Sequence, residues 1–164
     1  MANSRCGNGM YLSGHFQTAY VTRDIERAAA VFQRQFGIGS FQFVPGNQVD
    51  EHTRIDMALA WLGNEMVELI QPTGNGGSFY EVMLGPDGLG TRLHHFGHFV
   101  ADRAQWQRLR EQVRQDGYPV ALEGCVDGFL SYLYIDARAQ TGHFLEYILC
   151  EPAGRAFFDA VPRS

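Results

Sequence analysis

Two short stretches hold residues able to bind a metal or move a proton. Residues 93–100 read Leu-His-His-Phe-Gly-His-Phe-Val and carry three of the chain's six histidines. Residues 14–21 read Gly-His-Phe-Gln-Thr-Ala-Tyr-Val, and each stretch precedes a helix-like run. His15 and His95 lie about 80 residues apart, near half of the chain, which is how a duplicated unit shows itself. Two glutamates repeat at almost the same interval. Glu68 sits in Met66-Val67-Glu68-Leu69-Ile70, and Glu146 in Phe144-Leu145-Glu146-Tyr147-Ile148-Leu149. A carboxylate buried in an apolar strand costs several kcal/mol unless a cation, a proton or a metal compensates it. Either glutamate alone is equally well explained by an exposed strand face, where the charge is harmless.

Together the four residues favour a shared site. Residues i and i+2 of a strand share a face, so Met66, Glu68 and Ile70 share one and Phe144, Glu146 and Ile148 another. If both faces turn into one cavity, His15, Glu68, His95 and Glu146 converge. Two imidazoles and two carboxylates form a mixed nitrogen and oxygen set suited to a divalent cation (Co, Ni, Mn, Zn, Fe or Mg), with positions left for water or substrate. The alternation rule sends His94 and His98 to the face opposite His95. His52 in a loop and His143 at a strand start read as ordinary surface or hydrogen-bonded histidines.

The elements that would position these residues follow one order twice. In the first half, residues 15–21 read as a strand, and Asp24 is placed to cap a helix carrying Ile25, Ala28, Ala29, Phe32 and Phe36 at helical spacing. Gly37 ends that helix. Strands are expected over 40–44, 54–62 and 65–71, with Pro45-Gly46-Asn47 as a turn and Gly63-Asn64 as a hairpin. Residues 72–77 are a breaker cluster, and residues 78–84 offer one helical turn within the connector. The second half repeats the order. It has a strand over 95–101, then a helix begun by Asp102, carrying Trp106, Leu109 and Val113 and ended by Gly117. Strands follow over 118–122, 129–135 and 144–149, then a short helix over 155–160. The fold class is α+β: two βαβββ modules, residues 13–72 and 93–152, joined by a connector over 73–92, with curled mixed sheets around a central cavity. Phe41, Phe43, Trp61, Tyr132 and Tyr134 alternate along strands and read first as core, with a pocket lining as the alternative.

Composition narrows the function. The chain has 164 residues, a net charge of −5 and no Lys/Arg-rich run, which argues against nucleic acid as a partner. No apolar run is long enough to span a bilayer, and residues 1–10 lack a signal-peptide core. Cys6, Cys125 and Cys150 are an odd, widely spaced set that suits reduced thiols in a cytoplasm.

The run Val67-Glu68-Leu69-Ile70-Gln71-Pro72, the Leu93-His94-His95-Phe96 segment and the Leu145-Glu146-Tyr147 strand resemble the vicinal oxygen chelate superfamily. The resemblance covers residues 15–152 as a single glyoxalase-like domain and is closest to the branch holding glyoxalase I and methylmalonyl-CoA epimerase. It implies His15, Glu68, His95 and Glu146 as metal ligands. It also implies a substrate with neighbouring oxygens, and a lyase, isomerase or epimerase reaction begun by removing a proton α to a carbonyl. Ring-cleaving dioxygenases of this superfamily use two His and one Glu, so a carboxylate at Glu68 favours the lyase and epimerase branch, although the epimerases usually carry Gln there. Glu146 is the base that the resemblance implies, with Asp50 or Glu51, just before the third strand, as a second acid or base. The alternatives are an iron(II) dioxygenase of the same fold and a metal-free small-molecule binder. Related folds pair their modules across a dimer, so a homodimer is expected.

Overall fold

A computed structural model describes residues 10–73 and 79–164. The first module runs β1 (His15–Val21), α1 (Ile25–Phe36), β2 (Gln42–Gln48), β3 (Arg54–Leu62) and β4 (Glu65–Pro72). The second runs β5 (Arg92–Phe99), α2 (Arg103–Asp116), β6 (Val120–Val126), β7 (Leu130–Asp136), the single turn α3 (Arg138–Thr141) and β8 (Phe144–Cys150). A last helix, α4 (Pro152–Ala160), follows. Short 3₁₀ turns occupy Met10–Leu12 and Glu81–Met83, the latter inside the stretch expected to hold one helical turn. No helix among the described residues is long and apolar enough to cross a membrane.

All eight strands form one curled sheet in the order β2-β3-β4-β1-β5-β8-β7-β6. Within each module the first and last strands pair in parallel, β1 with β4 and β5 with β8, and the modules meet through antiparallel β1 and β5. The architecture is therefore the α+β repeat that the sequence predicts.

The helices form where capping and periodicity place them. The Asp24 side chain accepts from Arg27 N at 3.0 Å and the Asp102 side chain from Gln105 N at 2.7 Å, each satisfying a donor that the first turn leaves open. Gly37 and Gly117 close α1 and α2. Both helices cover the outer face of the sheet. Ile25, Ala28 and Ala29 pack on Ala58 and Leu69, while Trp106, Leu109 and Val113 pack on Leu133, Ile135, Leu145 and Tyr147. With Leu69, Leu145 and Tyr147 turned outward, strand alternation turns Glu68 and Glu146 inward.

Several boundaries differ from expectation, among them β5, which runs from Arg92 to Phe99 rather than over 95–101. Pro45-Gly46-Asn47 is no turn but lies inside β2, where the register against β3 shifts between Val44 and Asn47. Gly46 takes φ 70° there, and its N–H donates to Asp56 Oδ1 at 2.7 Å, so a bulge absorbs the break and the strand continues. β6 starts and ends later than expected because the hairpin turn falls at Asp127-Gly128. The last helix begins at Pro152, whose missing N–H costs nothing in a first turn.

Candidate functional site

Two irregularities in the β1–β5 pair decide which side chains reach the cavity. In β1 the register shifts between His15, opposite His98, and Gln17, opposite Gly97. The extra residue, Phe16, turns inward onto Phe99, Trp61 and Phe158, and Gln17 also lines the cavity. His15 is thereby left exposed on the outer face, its ring 5.3 Å from Phe96 and 5.4 Å from His98. The structure does not bring His15 to Glu68, His95 and Glu146; Gln17 occupies the inward place instead.

The second shift lies between Ala19, opposite His95, and Tyr20, opposite Leu93. It inserts His94 as an extra residue in β5, and His94 and His95 turn to the same side. Their Nδ1 atoms lie 2.8 Å apart, which corrects the expectation that His94 faces away. His98 does face away, stacked on Tyr147.

The inward residues meet closely. His95 Nε2 lies 3.1 Å from Glu146 Oε2 and 3.5 Å from Glu68 Oε2, and all three residues are buried. Gln17 donates from Nε2 to Met66 Sδ at 3.7 Å, and its Oε1 is buried without a partner. Gly97 makes this possible, since a Cβ there would stand 2.5 Å from Gln17 Oε1. The Tyr134 ring lies 5.0 Å from that of His95, and Tyr80 reaches over from the connector to stack on His94.

Electrostatics follow from this burial. The Glu68 carboxyl is pushed well above the usual carboxylate range by loss of water and then by the charge of Glu146. The phenols of Tyr80 and Tyr134 are raised by burial and then by Glu146. Burial, then the neighbouring His95, lowers His94 far enough to keep it neutral. That neutrality fixes the proton positions. His94 Nε2 lies 3.4 Å from the Phe79 carbonyl, which only accepts, so Nε2 carries the hydrogen and Nδ1 is an acceptor. His95 Nδ1 must then be the donor across the 2.8 Å contact, and His95 Nε2 is the nitrogen that faces the carboxylates. His95 Nε2 makes no hydrogen bond despite its nearness to Glu146.

Gln17, Glu68, Tyr80, Tyr134 and Glu146 form the floor of a cavity of about 320 Å³ on the inner face of the sheet, and His94 and His95 are buried behind them. Tyr132 and Tyr134 belong to its lining, Trp61 packs in the core beside it, Phe41 packs against α1, and Phe43 is exposed. Asp50 and Glu51 lie outside the lining. Asp50 Oδ1 accepts from His52 N and Thr53 N, both at 2.8 Å, and the His52 bond lowers its pKa. Glu51 is exposed, 4.0 Å from His52.

Gln17 and Tyr80 are site residues that the sequence did not single out, Tyr134 was read first as core and His94 as facing away, and one signal for Gln17 was present. Residue 17 plus 78 is 95, and residue 68 plus 78 is 146. Strand pairing obeys the same interval: Gln17 pairs with Met66 as His95 pairs with Phe144, and Ala19 with Glu68 as Gly97 with Glu146. An internal two-fold relation thus maps Gln17 onto His95 and Glu68 onto Glu146.

Residues 16–134 match the glyoxalase/bleomycin resistance protein/dioxygenase superfamily, and the chain belongs to it. No curated protein sequence matches. Among solved structures, a variant of Streptomyces coelicolor methylmalonyl-CoA epimerase in complex with 2-nitronate-propionyl-CoA is similar with a TM-score of 0.63. It is 13% identical over 86% of this chain and 96% of its own. The Mycobacterium tuberculosis methylmalonyl-CoA epimerase has a TM-score of 0.59 at 13% identity, covering 87% of this chain and 91% of its own. At these identities the likeness is one of fold.

Proposed function

We propose that the protein is a metal-dependent lyase, isomerase or epimerase that removes a proton α to a carbonyl, with Glu146 as the base. The observation that carries this reading is the convergence of His95 Nε2, which makes no hydrogen bond, and two buried carboxylates, with no arginine against them among the described residues. Among the described residues no arginine lines the cavity, and the chain has thirteen arginines and no lysine.

The donor set fits a divalent cation in its chemistry. Gln17 Oε1, Glu68, His95 Nε2 and Glu146 supply three oxygens and one nitrogen, and Gln17 Oε1 and His95 Nε2 are two of the three buried side-chain atoms left without hydrogen bonds among the described residues, the third being His98 Nε2 on the outer face. As the side chains stand, no three His, Cys, Asp or Glu among the described residues close into a liganding trio, and Gln17 adds a fourth donor beside them. When bound, the cation supplies the positive charge that stabilises negative charge developing on the substrate oxygens.

The chain's own residues do the rest. Glu146 takes the α proton from a carbon held above the floor. Glu68, also beside His95 Nε2, is the second proton carrier, in the place the sequence assigned to Asp50 or Glu51. Tyr134, beside Glu146, orients that carboxylate, and the apolar walls exclude water. Epimerases of this fold that hold methylmalonyl-CoA support the epimerase outcome. A cytoplasmic homodimer belongs to the same reading, supported by the free Cys125 and Cys150 and by the exposed apolar Phe36 and Leu62.

The test is solvent exchange. In deuterium oxide with a divalent metal supplied, the protein should exchange the α hydrogen of a hydroxymethyl ketone. Glu146→Gln should reduce the rate by about a hundredfold or more, the usual contribution of a positioned base. Exchange unaffected by Glu146→Gln would contradict the assignment.

A further inference from the structure

We propose that the substrate group held beside the reacting carbon is uncharged and apolar, the size of a ring or branched chain, and that residues 152–164 set that choice. The inference rests on the proton-abstraction reading for where reaction occurs, and on separate observations for what the walls accept.

Above the floor the walls come from three directions. Val44 and Met57 belong to β2 and β3, Phe129 to the β6–β7 turn and Leu130 to the start of β7, and Phe157 and Phe158 to α4. Asn47 and Gln48 add only neutral polar groups. A carboxylate or phosphate among these walls would find no cationic side chain and would stand over two acids, so burying it there is unfavourable. A ring or branched alkyl group would instead take apolar surface out of water.

The α4 wall is fixed in place. Trp61 Nε1 donates to the Phe158 carbonyl at 2.9 Å, and Trp61 N donates to the Pro162 carbonyl at 2.8 Å. Ser164 N donates back to the Trp61 carbonyl at 2.9 Å, and the Ser164 hydroxyl accepts from Gly39 N at 2.7 Å. The Arg163 guanidinium lies over the Trp61 ring at 4.7 Å. These contacts fasten the segment that follows the second module onto the first. Phe158 also packs edge-on against Phe16 and Phe99. The wall is thus organised before any ligand arrives, which lowers the ordering cost of binding.

Three hydroxymethyl ketones that differ in one substituent test this: 2-hydroxyacetophenone carries a phenyl group, dihydroxyacetone a hydroxymethyl group and hydroxypyruvate a carboxylate. Calorimetric titration should show the phenyl ketone binding at least about tenfold more tightly than the other two, from apolar burial of the ring. Phe157→Ala should remove most of that advantage and leave dihydroxyacetone binding unchanged, and Phe157→Leu, which keeps an apolar wall, should retain part of it. Equal binding of the three, no binding of the phenyl ketone, or a phenyl advantage that survives both substitutions would overturn the inference. Ring-selective binding without α-hydrogen exchange would leave this inference standing and overturn the proton-abstraction reading. Exchange without ring selectivity would do the reverse.

Discussion

His95 has one nitrogen committed to His94 and the other facing two carboxylates, so His94 is a positioning residue. Supporting hydrogen bonds to metal-binding histidines commonly matter by ten- to a hundredfold in affinity. His94→Phe keeps the packing on Tyr80 and Phe144 but removes the acceptor for His95 Nδ1. Its cobalt affinity should fall by about tenfold or more, whereas His94→Gln, which retains an acceptor, should recover part of the loss. Unchanged affinity in His94→Phe would remove His94 from the site. His98 makes a second prediction, on the outer face. Burial lowers its pKa to about 4, with the Ser13 carbonyl opposing the shift. The folded state therefore binds fewer protons than the unfolded state between about pH 6.5 and 4, and stability is complete above this window and falls as pH drops through it. The loss from this residue is about 3 kcal/mol by the bottom of the window. His98→Phe should flatten the pH dependence of denaturant stability between pH 6.5 and 4, and parallel curves for the two proteins would contradict the assignment.

At the scale of elements, the β1–β5 pair sets the site. Two register shifts turn Phe16 with Gln17, and His94 with His95, toward the cavity, and Gly97 leaves room for Gln17. Gly97→Ala would put a Cβ 2.5 Å from Gln17 Oε1 and 3.0 Å from its Cβ. The amide must then leave its place, with about 1–3 kcal/mol of lost stability and a weakened cation site. A crystal structure of the variant with Gln17 unmoved and full cation affinity would contradict this.

The same pair explains what could be read beforehand. Both helices were legible because Asp24, Asp102, Gly37 and Gly117 mark their ends and apolar residues recur at helical spacing. The inward glutamates were legible because alternation holds in β4 and β8. His15 and His94 were misjudged because alternation fails at a bulge, and a bulge belongs to the register between two strands, which neither strand's own pattern records. The role of α4 was hidden for another reason: its contacts with Trp61 span nearly a hundred residues and join opposite modules.

For the whole molecule, duplication organises the chemistry. One interval of 78 residues relates Gln17 to His95 and Glu68 to Glu146, so each module contributes one neutral donor and one carboxylate to a site on the junction. Closure of that site is not symmetric, because the C-terminal segment of the second module ties onto the first. Calorimetric titration of cobalt into the wild-type protein, Gln17→Ala, His95→Ala and His15→Ala tests this arrangement most directly. The account predicts one site per chain, weakened about tenfold or more by Gln17→Ala and by His95→Ala and left intact by His15→Ala. No binding by the wild-type protein, or a loss in His15→Ala matching that in Gln17→Ala, would contradict it.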